Sequence, residues 1–145
     1  MKDQPVIQEL IPHGDSMCLL GRIVSWNERG AILATTTHGD PANPLRRHGR
    51  LHAINLCEYG AQAMAVHGGL VARAGGRRLM PGLLVSLRDV VLSVSHVEAL
   101  EGELIVEVER LEGGAAGLQY GFCATHRGEA LARGRAAVIE AAFDR

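Results

Sequence analysis

The chain has 145 residues, 47% of them hydrophobic but only 3% aromatic, and a formal net charge of −1. That is one domain's length, with enough chain to bury a core. The charge balance excludes a broad basic field for nucleic acid, and no apolar run reaches the length of a membrane span.

The 19 Ala and 18 Gly set the first expectation. The core must be built from small and branched aliphatic groups at close backbone approach. In chain order, residues 1–17 read as a lead-in broken by Pro5 and Pro12. Residues 18–26 (CLLGRIVSW) and 31–37 (AILATTT) read as strands around an Asn27–Gly30 turn. Residues 38–50 (HGDPANPLRRHGR) form a polar, basic loop. Residues 51–73 read as one helix stopped by Gly75 and Gly76.

Along that helix Ile54, Cys57, Ala61, Met64, Ala65 and Val71 recur near helical spacing. Glycines cost a helix roughly 0.5–1 kcal/mol each relative to Ala. Gly60, Gly68 and Gly69 therefore predict another backbone pressed against it. The scarcity of charge predicts burial on most sides. Strands follow at 83–95 (one long strand or a bent pair), 103–111, 117–125 and 130–140, joined by short turns. Short turns favour antiparallel neighbours. One helix on one antiparallel sheet is an α+β solution, and a small-residue helix swathed by a sheet is the hotdog arrangement. The expectation is a single domain over 1–145.

Glu58 is the first chemical candidate: a carboxylate in a helix that otherwise reads as buried is costly unless paired or used. A wet face or a backbone bond would explain it equally well. Gln62 lies one turn on, able to orient that carboxylate or to fill a core gap. Seven His occur, no pair forms an HExxH motif and no Cys joins them at metal spacing, so no metal is expected. His13 and His48 are the foremost of them, ahead of His52 and His67. Fourteen of the 15 cations are Arg. Arg46, Arg47 and Arg50, with Arg73, Arg77 and Arg78, bracket the helix as solvated surface or as a dock for a phosphorylated or acidic partner. Three widely spaced Cys argue against a disulfide framework. The N-terminal residues lack an apolar signal core, so a reduced cytoplasmic protein is expected.

Two segments carry a family resemblance. They are Ile11-Pro12-His13 through Met17-Cys18-Leu19-Leu20, and Gly49-Arg50-Leu51 through Glu58-Tyr59-Gly60-Ala61-Gln62-Ala63. They resemble hotdog dehydratases acting on 3-hydroxyacyl-(acyl carrier protein), especially the branch of aryl-polyene and xanthomonadin-type pigment clusters. The resemblance implies dehydration of a 3-hydroxyacyl thioester carried on phosphopantetheine to the trans-2-enoyl thioester, with no cofactor of its own. It implies Glu58 as the acid, and His13 or His48 as the base. Gln62, Arg50 and Leu51 would bind substrate, with N–H groups at the helix start polarising the carbonyl. Arg46, Arg47, Arg77 and Arg78 would dock the carrier protein. In hotdog dimers base and acid usually come from different subunits, so a homodimer or higher hotdog oligomer, or a heterodimer with another dehydratase, is implied. The classical Gly-His-Phe-Pro loop is missing, and Pro44 stands where it would place its His. A hotdog thioesterase and a non-catalytic partner subunit are the alternatives.

Overall fold

Strict alternation makes the clearest strand. In Leu104–Leu111, Leu104, Val106 and Val108 are buried while Glu107 and Glu109 are exposed. Period-two patterning of this kind buries one face of a sheet and wets the other. The computed structural model describes residue 7 and residues 18–76, 82–111 and 118–140. Its strands are β1 (Arg22–Trp26), β2 (Gly30–Thr35), β3 (Gly82–Leu92), β4 (Leu104–Leu111), β5 (Leu118–His126) and β6 (Glu129–Glu140), with one long helix, α1 (Leu56–Ala74).

All six strands form one antiparallel sheet in the order β1-β2-β4-β5-β6-β3. Helix α1 carries the chain from β2 across the sheet, so β3 lands on the far edge beside β6. The helix packs mainly on β4, with β2, β5 and β6. This is the expected α+β hotdog arrangement. The stretch expected as a long strand or a bent pair is one strand. It is bent by two register shifts against β6, with Asp89 at φ 56° in the second. Among the described residues, no helix is long and apolar enough to cross a membrane.

The expected helix from residue 51 is only partly helical. Residues Ala53–Asn55 make a tighter 3-10 turn, because His52 stays extended and its Nδ1 accepts the Ile54 N–H at 3.0 Å. The far end stops as expected. The Gly75 N–H bonds back to Val71 and Ala72, and Gly76 takes φ 74°, which favours glycine.

The buried face differs from the one expected. Leu56, Tyr59, Ala63, Val66 and Leu70 point inward, together with the polar Gln62 and His67. Of the six positions singled out by spacing only Met64 is buried; Ile54 is 46% exposed. The buried face carries hydrogen-bonding side chains, and the half-buried face carries small ones, so spacing of apolar residues points to the wrong side. What presses on Gly60 is an aromatic ring rather than a backbone. A Cβ there would lie 2.7 Å from Phe122 Cγ, and one at Gly134 would lie 2.9 Å from Phe122 Cε1.

Candidate active site

Glu58 lies in the first turn of α1, half-buried, where the positive end of the helix favours a carboxylate. Its neighbours on the same half-buried face are Cys57, Ala61 and Ala65. Burial raises the Cys57 thiol above its ordinary value, so that sulfur stays protonated near neutral pH.

Behind Glu58 a polar network fixes the helix. The Leu19 N–H donates to Gln62 Oε1 at 2.9 Å, and Gln62 is fully buried. The Leu19 carbonyl accepts from Thr35 Oγ1 at 2.5 Å and from Thr37 Oγ1 at 2.6 Å. With the Thr37 proton committed there, the Tyr59 hydroxyl donates to Thr37 Oγ1 at 2.8 Å. Asn43 Nδ2 donates to the Tyr59 oxygen at 3.0 Å and to the Thr37 carbonyl at 2.9 Å. Burial raises the Tyr59 phenol above its ordinary value, against the pull of its Thr37 and Asn43 bonds. Sequence reasoning missed Asn43 and the two threonines. The Asn43-Pro44 pair held a usable signal, since Asn43 Oδ1 closes a turn on the Leu45 N–H at 2.8 Å.

The entrance to α1 is stitched to the loop 93–103. Glu98 accepts from Arg50 Nε at 2.8 Å and from the Leu51 N–H at 2.9 Å. The Leu51 bond and the Arg50 ion pair hold its carboxyl down at about 2. The Ala53 N–H donates to the Ser95 carbonyl at 2.8 Å, and the Asn55 N–H to the His52 carbonyl at 3.0 Å. The His52 and His96 rings meet edge to face at 5.3 Å. The N–H groups of Leu51, Ala53, Ile54, Asn55 and Leu56 are thus all bonded within the chain. Among the N–H groups expected to polarise a carbonyl at the helix start, these five are bonded elsewhere.

His48 and Gly49, both at positive φ, form a two-residue turn closed by paired Arg47–Arg50 backbone bonds of 2.8 and 3.0 Å. His48 is exposed at its tip. Arg46 is half-buried and knitted into the loop, donating to the Gly49 and His38 carbonyls. Arg47 is exposed, and so is Arg50, apart from its pairing with Glu98. His13, Arg77 and Arg78 lie outside the described residues. His67 is fully buried at the other end of the helix. Its Nε2 meets the Asn27 carbonyl at 2.9 Å and its Nδ1 the Tyr120 hydroxyl at 2.7 Å. The carbonyl needs a donor, so Nε2 carries the proton and Nδ1 accepts. His38 is likewise buried, with Nε2 on the Leu100 carbonyl at 2.8 Å. Both histidines serve the fold.

The arrangement offers an acid on a half-buried helix face. Chains of known structure share the fold that presents it. A chain of the dehydratase heterocomplex ApeI:P from Xenorhabdus doucetiae superposes with a TM-score of 0.85 at 19% identity, covering 96% of this chain and 93% of that one. AziG from S. sahachiroi gives a TM-score of 0.64 at 17% identity, covering 90% and 97%. A mutant of the phenylacetic acid degradation protein PaaI from Thermus thermophilus gives 0.60 at 15%, covering 83% and 92%. At such identities these likenesses speak for the fold alone. A comparison with curated protein sequences gives no significant match. The family model described as ApeP dehydratase matches residues 5–144, nearly the whole chain. The chain belongs to the ApeP-like dehydratase family.

Proposed function

We propose that the chain dehydrates a 3-hydroxyacyl thioester, carried on the phosphopantetheine of an acyl carrier protein, during aryl-polyene-type synthesis in the cytoplasm. The observation that carries this reading is the placement of Glu58 on the half-buried face of α1 in a chain of this family. A base, His13 or His48, takes the proton from the carbon next to the thioester carbonyl. The electron pair forms the new C=C bond as the C3–O bond breaks. Glu58 delivers its proton to the departing hydroxyl, which leaves as water. Base and acid meet across a pairing of two hotdog subunits, either two copies or this chain with another dehydratase. Arg50 borders the substrate, Gln62 and Leu51, both fully buried, back the site from within the core, and Arg46, Arg47, Arg77 and Arg78 receive the carrier. No cofactor takes part in this scheme.

A second reading has its own support. The N–H groups of Leu51, Ala53 and Ile54, just ahead of α1, are taken by Glu98, Ser95 and His52. That suits a subunit that completes a partner's site without performing the chemistry itself, and a relative of similar fold is described as part of a dehydratase heterocomplex. One assay separates the two. The purified chain receives 3-hydroxyacyl thioester on a carrier, alone and with a second dehydratase. Enoyl absorbance from the chain alone supports the first reading. Enoyl formation only with the partner, unaffected by Glu58→Gln, supports the second. Thiol release would indicate a thioesterase.

A further inference from the structure

The sheet face turned away from α1 is covered by no described element, and its charges are ordered. On β4 stand Glu107 and Glu109, exposed; on β6 stand Arg133 and Arg135, exposed. Between them β5 contributes only Gly121 and Cys123. The register aligns them in two rows: Glu107, Cys123 and Arg133 in one, Glu109, Gly121 and Arg135 in the next. The low β5 floor between the two charged walls leaves an open groove of about 520 Å³, with Asp89 and Val91 at its rim. Asp89 takes up little of the basic wall: it reaches Arg135 at 3.8 Å, with both side chains more than half exposed.

We propose that this face pairs with the same face of a second copy of the chain, about a two-fold axis running along β5. Such an axis exchanges left and right of β5 and leaves position along the strand unchanged. Glu107 of one copy then lies over Arg133 of the other, and Glu109 over Arg135, with each pair made twice. Gly121 faces Gly121, and Cys123 faces Cys123. An isologous interface must be self-complementary, and this charge pattern is so only about an axis along the strand. An axis across the strands would set Glu on Glu and Arg on Arg. Sheets packed face to face lie about 10 Å apart and turn by about 30°. Rows within one strand spacing of the axis, about 4.8 Å, remain in reach of Glu and Arg side chains. This face is distinct from the helix side that holds Glu58, so such an assembly leaves the candidate active site open.

The test uses the full chain. A short bis-maleimide is added, and linked peptides are mapped by mass spectrometry, while light scattering gives the mass in solution. The expected result is a Cys123–Cys123 link, absent in Cys123→Ser. Glu107→Arg and Arg133→Glu, each a surface change, should each abolish the link and halve the mass. The double variant, which restores opposite charges, should recover both. High salt should weaken the pairing of the wild type. The proposal is overturned if no such link forms, or if its yield ignores the single reversals. It is equally overturned if the reversals weaken carrier-protein binding while the mass stays unchanged.

Discussion

Gly60 and Phe122 are shaped to each other: a Cβ at position 60 would sit 2.7 Å from the ring, well inside contact distance. The ring also lies on β6 at Gly134, where a Cβ would come within 2.9 Å of it. The first prediction follows. Gly60→Ala gains up to about 1 kcal/mol of helix propensity but overpacks the core, which costs about 1–3 kcal/mol. Urea unfolding should show a net loss for Gly60→Ala, with recovery when it is combined with Phe122→Leu. A single variant as stable as the wild type would mean the ring is mobile.

Tyr59 is the hub beside the candidate acid. Tyr59→Phe leaves the half-buried Thr37 Oγ1 without its donor and one N–H of the buried Asn43 without its acceptor. The expected cost is about 1–3 kcal/mol. Denaturant midpoints for Tyr59→Phe and Asn43→Ala should fall, and the double variant should lose less than the sum, because the two share one bond.

Acid should weaken the fold in two stages. Burial lowers the pKa of His67 and His38 below the ordinary 6.5. A depressed folded value means their contribution is present above the unfolded pKa and lost as pH falls below it. Glu98 is held at about 2 against an ordinary 4.5, so its contribution is full above 4.5 and fades as pH falls towards 2. In pH-dependent unfolding, His67→Gln should flatten the loss below neutrality, and Glu98→Gln should flatten the loss at lower pH. An unchanged slope in either variant refutes that assignment.

Arg47 is an exposed cation of the entrance loop, whereas Arg46 is tied to the Gly49 and His38 carbonyls and Arg50 is paired with Glu98. Arg47→Glu should therefore weaken carrier-protein binding several-fold without loss of stability, chiefly through slower association at low salt. Surface plasmon resonance at two ionic strengths checks this; binding equal to the wild type at low salt counts against carrier docking there.

The strands and turns were legible because alternation and Gly-containing turns act locally. The run 104–111 and the stop at Gly75-Gly76 needed no tertiary information. The helix face was not legible. Tyr59, Gln62 and His67 are buried because Leu19, Thr37, Asn43, Asn27 and Tyr120, distant in sequence, supply their partners. Glu58 stood out as an acid in a helix otherwise poor in charge, and the structure places it half-buried in the first turn of α1. The occupied helix start was hidden, since it depends on Glu98 and Ser95 arriving from another loop. His48 read as a candidate by its closeness to Glu58 in sequence, and the tight turn at 48–49 shows it at an exposed tip.

The most direct measurement is enoyl formation from a carrier-bound 3-hydroxyacyl thioester by wild type and Glu58→Gln, assayed with any partner subunit held constant. If Glu58 is the acid, turnover falls by about 10²–10⁴-fold, while circular dichroism and the unfolding midpoint stay at wild-type values. Wild-type turnover in a folded Glu58→Gln protein would contradict the account.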